Sequence, residues 1–151
     1  MSESISGSCL CGAIKVKLNN SALNVGNCYC SDCQKSAGGP YQCNAMFDTS
    51  DVGLEDPKGY AKLYVVPKEQ TLSGIEKQKW FCGNCGCALF TRPMSLKGEK
   101  SFIKTGILDT APGFQGSSPL DQLKPTAEIF TKDRPSYVKA VDGADQFNTI
   151  P

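Results

Sequence analysis

Nine cysteines stand in a chain of 151 residues that contains no histidine. They fall into groups: Cys9 and Cys11; Cys28, Cys30 and Cys33; Cys82 and Cys85 with Cys87 close behind; and Cys43 alone. An odd count fits a disulfide framework poorly, and thiols of a reducing compartment do not form stable disulfides. Without imidazole, any metal must be held by thiolates, carboxylates or backbone, and any general acid or base must be something other than histidine.

Cys82-Gly83-Asn84-Cys85-Gly86 has the form of a zinc knuckle: the loop turns tightly, both sulfurs face one point, and backbone N–H groups reach the thiolates. Tetrahedral zinc takes four ligands at about 2.3 Å, so a second pair must come from elsewhere. Cys9 and Cys11 can supply it. If that C-x-C pair lies on a strand, its side chains share a face, because side chains alternate with period two. The expected result is a closed four-thiolate site that staples the N-terminal strand to a distant hairpin. The competing role for these residues is that of buried thiols.

Cys28, Cys30 and Cys33 can hold a second zinc with one position open, as catalytic sites do. A purely structural site completed by Cys43 or Cys87 is the alternative. The residues that follow, Gln34-Lys35-Ser36-Ala37-Gly38-Gly39, offer a lysine, a hydroxyl and flexible backbone N–H groups to a carboxylate-rich ligand. Lys35 is the candidate for positioning it. Asp109 is a candidate acid–base group, against the competing role of a turn cap. Cys43 is expected as a small buried hydrophobe and Cys87 as a bystander. Trp80 and Phe81 are expected in the core or a pocket wall, and the lysines mostly on the solvated surface.

The remainder reads as β-structure in one domain, residues 1–151. Ile14, Val16 and Leu18 alternate with Lys15 and Lys17, a half-buried strand pattern. Further strands are expected over Tyr41–Phe47, Leu63–Val66, Lys77–Phe81, Ala88–Phe90, Phe102–Thr105 and Glu128–Phe130. Fifteen glycines and nine prolines interrupt most helical windows. Residues 113–119 read as a surface loop or lid. A net charge of +1, without a basic run, argues against nucleic acid as a partner. No apolar stretch resembles a signal peptide or a membrane span, so a cytoplasmic protein is expected.

Three segments resemble one family. GSCLCGAIKV (7–16), NCYCSDCQKSAGG (27–39) and WFCGNCGCALF (80–90) look like the glutathione-dependent formaldehyde-activating enzymes, a family that also includes centromere protein V. TGILDTAPGF (105–114) and TAEIFTKDRPSYV (126–138) are similar to later family segments. The resemblance implies an all-β, β-tent fold with two zinc ions. One would be structural, on Cys9, Cys11, Cys82 and Cys85; the other catalytic, on Cys28, Cys30 and Cys33. It also implies addition of glutathione to formaldehyde, a carbon–sulfur lyase activity. Leu10, Tyr29 and Glu128 stand where family members often carry histidine, and Tyr137 where tryptophan is frequent. None of these removes an expected ligand, but each reshapes what could line the pocket. A zinc-stabilised binding module without turnover, or an enzyme of this fold serving another small molecule, are the competing functions.

Overall fold

A computed structural model describes residues 4–111 and 118–151. Most of the expected loop at 113–119 lies outside the described residues. Among the described residues, twelve strands and one α-helix follow in order: β1 (Ile5–Ser8), β2 (Lys15–Leu18), β3 (Asn24–Cys28), α1 (Ser31–Ala37), β4 (Gln42–Asp48), β5 (Val52–Glu55), β6 (Ala61–Val66), β7 (Lys77–Cys82), β8 (Ala88–Pro93), β9 (Lys100–Lys104), β10 (Leu108–Thr110), β11 (Ala127–Ile129) and β12 (Asp145–Gln146). They form a four-stranded sheet, β10-β1-β2-β5, and an eight-stranded sheet, β12-β11-β3-β4-β9-β8-β7-β6. The all-β, tent-like architecture expected from the sequence is the one observed. No helix among the described residues is long and apolar enough to cross a membrane.

The alternating pattern of β2 decides how the small sheet packs. Val16 and Leu18 are buried while Lys15 and Lys17 face solvent. Together with Ile5 and Ile14, these residues meet Val25, Ala45, Phe47, Phe90 and Ile103 of the large sheet in one core. Register then assigns the other face of the large sheet. Paired residues on neighbouring strands share a face. Cys28 pairs with Gln42, Asn44 with Lys104 and Met46 with Phe102, Phe102 with Thr91, and Thr91 with Lys79. This second face, turned away from the core, carries α1.

The strands β1, β3, β5, β10 and β12 and the helix α1 were not expected. The strands are two to five residues long, too short for a period-two pattern to stand out. The helix is seven residues long and is held by its ends. The Cys30 sulfur caps it by accepting from the Cys33 N–H, and Gly38 closes it in the left-handed region at φ 69°. This corrects the picture of free backbone N–H groups after Cys33: those of Gln34, Gly38 and Gly39 are spent on Cys30 and Gln34 carbonyls.

Candidate metal centres

The first cluster is built from two turns. Cys9 and Cys11 lie in the turn between β1 and β2, where the Gly12 N–H bonds the Cys9 carbonyl. Cys82 ends β7, and the Gly86 N–H bonds its carbonyl. Both glycines sit at φ +77°, a conformation that penalises any side chain. The C-x-C pair is therefore turn-borne rather than strand-borne, and the turn, not the pleat, brings its sulfurs together. Each turn also aims donors at sulfur: Ile14 N–H at Cys9 Sγ (3.3 Å) and Cys85 N–H at Cys82 Sγ (3.5 Å).

All four sulfurs lie within 4.8 Å of one another. Cys9 and Cys11 Sγ are 3.5 Å apart, and Cys11 and Cys82 Sγ 3.8 Å. A tetrahedron with 2.3 Å metal–sulfur bonds has edges of about 3.8 Å, whereas a disulfide would need about 2.05 Å. All nine cysteines are free thiols. The Asn84 side chain and the Ala13 N–H draw the Cys11 thiol down to about 6, while burial pushes that of Cys82 up to about 11. The donor set thus fits a metal ion such as zinc.

The second cluster joins the end of β3 to the start of α1. Cys28 is buried, Cys30 and Cys33 are half-buried, and their sulfurs also lie within 4.8 Å of one another. Hydrogen bonds from Cys28 and Cys33, the Cys33 N–H and the charge of Lys77 hold the Cys30 thiol far below its usual range. Cys28 is pushed far above it, first by its bonds to Cys30 and Cys33. Ionising one of three packed thiols disfavours ionising the others, so holding all three as thiolates would require a cation between them. The donor set is three sulfurs; among the described residues neither Cys43 nor Cys87 joins it. Cys43 packs against the core from β4, and burial raises its thiol. Cys87 receives the Leu10 N–H beside the first cluster, and burial raises it as well.

The groups around this second cluster are not those singled out in the sequence. Lys77 and Lys79 both pair with Asp32 of α1, and Lys79 also donates to the Ser36 hydroxyl. Lys104 is 7% exposed, and its Nζ donates to Asn44 Oδ1 at 2.8 Å. Burial draws its ammonium down to about 8, against the attraction of the Cys33 thiolate. Lys77, Lys79 and Lys104 are the exceptions to the mostly solvated lysines, because β7 and β9 turn them toward α1 rather than water. The strand spacing Lys77-x-Lys79 is the sequence signal that marks two of them as sharing a face.

Lys35 is exposed on the outer side of α1. Asp109 lies on β10 in the small sheet and accepts from the Ser8 hydroxyl at 2.6 Å. It lines a shallow recess of about 410 Å³ with Ser6, Lys15, Lys17 and Glu55, and no cysteine of either cluster lines that recess. Glu128 does not line a pocket: it is fully buried. It accepts from Asn27, Tyr29, Arg134, Gln146 and the Val141 N–H. Trp80 packs against the core and stacks on Phe90 at 6.0 Å.

A family model described as glutathione-dependent formaldehyde-activating enzyme matches residues 4–133. Among solved structures, a crystal structure of a Rhodobacter sphaeroides protein from structural genomics aligns with a TM-score of 0.54 at 23% identity. The alignment covers 80% of this chain and 96% of that one, a likeness of fold. No curated protein matches the sequence.

Proposed function

The chain belongs to the glutathione-dependent formaldehyde-activating enzyme family, and from that premise we propose that it is a zinc-dependent carbon–sulfur lyase that joins a thiol, glutathione or a relative of it, to formaldehyde or a related small carbonyl compound. The observation that carries this is the contrast between the two clusters. One offers four sulfurs and is complete; the other offers three and leaves a coordination position for something else. The first is the structural site, on Cys9, Cys11, Cys82 and Cys85. The second, on Cys28, Cys30 and Cys33, is where the chemistry takes place.

A zinc ion bound by three thiolates supplies a position that accepts a thiol as its thiolate. The chain's residues do the rest. Cys28, Cys30 and Cys33 fix where the substrate sulfur sits. Lys77 and Lys104 place positive charge beside the sulfurs, which favours an anionic sulfur over a neutral one. In the addition, the sulfur attacks the carbonyl carbon, a carbon–sulfur bond forms, and the π pair moves to oxygen, which takes a proton. Holding both reactants in one site lowers the entropic cost of their meeting. Lys35 and Asp109 are the sequence-derived candidates for ligand positioning and proton transfer. Lys35→Ala and Asp109→Asn test them: lost turnover with both metal contents retained supports the roles, and unchanged turnover removes them.

The enzyme is assigned to the cytoplasm, where nine free cysteines stay reduced. The function is tested with the zinc-loaded protein, glutathione and formaldehyde, following adduct exchange by NMR above the spontaneous rate. Acceleration lost in Cys30→Ser, with the fold and the first metal kept, supports the proposal. No acceleration by protein carrying both metals would overturn it.

A further inference from the structure

The strand β6 ends the large sheet, and among the described residues no strand pairs with its outer edge. The direction of its backbone groups follows from its first residues. The Gly83 N–H, just past β7, bonds the Tyr60 carbonyl. The next N–H, that of Ala61, points the other way, to Asp56 Oδ2 at 2.9 Å. Backbone groups of successive residues alternate sides along a strand, and β6 pairs with β7 in unbroken register. The N–H and C=O groups of Leu63 and Val65 therefore face outward, with no protein partner among the described residues.

Exposed edges are ordinarily blunted by short length, proline, a bulge or charge. In β6 the six residues AKLYVV carry one charge, Lys62, and proline comes only after the strand ends. The edge is apolar as well as open. Phe90, Trp80 and Leu63 form a row across β8, β7 and β6, and exposure along it rises from 1% at Phe90 to 42% at Leu63. The shared core covers the inner end of the row and leaves the outer end bare. Tyr64, on the opposite face, is 54% exposed. At the end of β6 a recess of about 730 Å³ opens beside Tyr64, Val65 and Ile75, with two carboxylates, Glu69 and Glu76, against one lysine, Lys68.

We infer that the partner of this edge is a second copy of the chain: two β6 strands pair antiparallel about a two-fold axis at Tyr64, so that Leu63 of each copy faces Val65 of the other. This register uses every free backbone group, in four hydrogen bonds donated by Leu63 and Val65 of both copies. An axis at Leu63 would call on the Ala61 N–H, which Asp56 holds. An axis at Val65 would call on Pro67, which has no N–H. With the axis at Tyr64, Val65 of one copy lengthens the Phe90–Trp80–Leu63 row of the other, and the two Tyr64 rings meet across the axis. Lys62 comes opposite Val66, beside the recess that holds Glu69 and Glu76, and away from its own counterpart. Backbone bonds alone would accept any strand; it is this complementarity of β6 to itself that selects a second copy. A two-fold contact closes on itself, and the far end of the sheet, β12, is two residues long, too short to carry the pairing further.

The test is the mass of the zinc-loaded full chain in solution, followed by sedimentation velocity over concentrations from about 1 to 100 μM. At the upper end wild type should sediment as twice the 16.2 kDa chain. Val65→Pro removes an outward N–H and no bond to β7. Tyr64→Lys sets two ammonium groups against each other on the axis. Each should weaken the dimer about tenfold or more, with zinc content and the circular dichroism spectrum unchanged. Should Val65→Pro fail to fold, Tyr64→Lys is read alone. Mixing Tyr64→Lys with Tyr64→Glu should restore a dimer holding one of each, because residue 64 meets only its own counterpart. Wild type that stays monomeric throughout, a dimer that neither variant weakens, assemblies larger than two, or a mixture that stays monomeric each overturn the inference.

Discussion

The Tyr29 hydroxyl donates to Glu128 Oε1 at 2.8 Å, and it does so from between two candidate metal ligands, Cys28 and Cys30. Cys28 lies on the face that carries α1; Tyr29, one residue on, points to the opposite side and into the interior. There Glu128 also binds Asn27, Arg134, Gln146 and the Val141 N–H, and the Arg134 guanidinium lies 4.9 Å from the Tyr29 ring centre. One buried carboxylate thereby ties β3, β11 and the C-terminal segment to the backbone that presents the three sulfurs.

Glu128→Ala should strand five donors, one of them the charged Arg134. Removing one partner of a buried ion pair costs about 3–5 kcal/mol, to be read as a fall in the urea midpoint. With Tyr29 unpinned, metal affinity at the three-cysteine cluster should also fall about tenfold or more, while the four-cysteine site keeps its metal. Unchanged second-site affinity would separate the network from the cluster.

The same carboxylate should make stability acid-sensitive. Burial alone would raise it, but the donors Gln146, Asn27, Tyr29 and the Val141 N–H outweigh burial and hold it at about 2, below its ordinary 4.5. A depressed folded-state value stabilises above the unfolded value and is lost on acidification. The contribution, on the order of 3 kcal/mol, should be complete above about pH 4.5 and vanish between there and about pH 2. Urea unfolding of wild type and Glu128→Gln across this window measures it; parallel pH profiles for the two would refute the assignment.

Loss of metal should divide the two clusters. Cys82→Ser, or a strong chelator, should unfold the chain, since a structural zinc site contributes roughly 10–16 kcal/mol against roughly 5–15 for a whole domain. Cys30→Ser should drop the zinc content from two per chain to one with the circular dichroism spectrum retained. Unfolding of Cys30→Ser would show that the second cluster is structural too.

Gly7 should tolerate no side chain. A Cβ there would lie 2.6 Å from the Ile107 carbonyl oxygen, where the pairing of β1 with β10 shifts register between Ser6 and Gly7. Gly7→Ala is expected to cost about 1–3 kcal/mol in urea unfolding. Gly53→Ala is the control: its added Cβ meets nothing nearer than 3.5 Å, so the change should stay within about 0.5 kcal/mol.

The sequence by itself determined the local features. The spacings of Cys9 with Cys11 and of Cys82 with Cys85 marked two sulfur pairs, because short turns bring neighbouring sulfurs together whatever surrounds them; the meeting of the two pairs, across 71 residues, was decided by the fold. The alternation of Ile14, Val16 and Leu18 marked a core face, because period two is a property of the extended backbone. Tertiary structure alone decided which side chains surround the three-cysteine cluster. Lys77, Lys79 and Lys104 reach it from strands 45 to 71 residues further along the chain than Asp32 and Cys33, and their presence follows from strand order and register. Glu128 is likewise decided at that level: its carboxylate is buried and ionised because five donors from distant segments converge on it, and burial without them would have favoured the neutral acid. Contacts set by backbone geometry over a few residues are legible in a string of letters; contacts made by folding two sheets over one core are not.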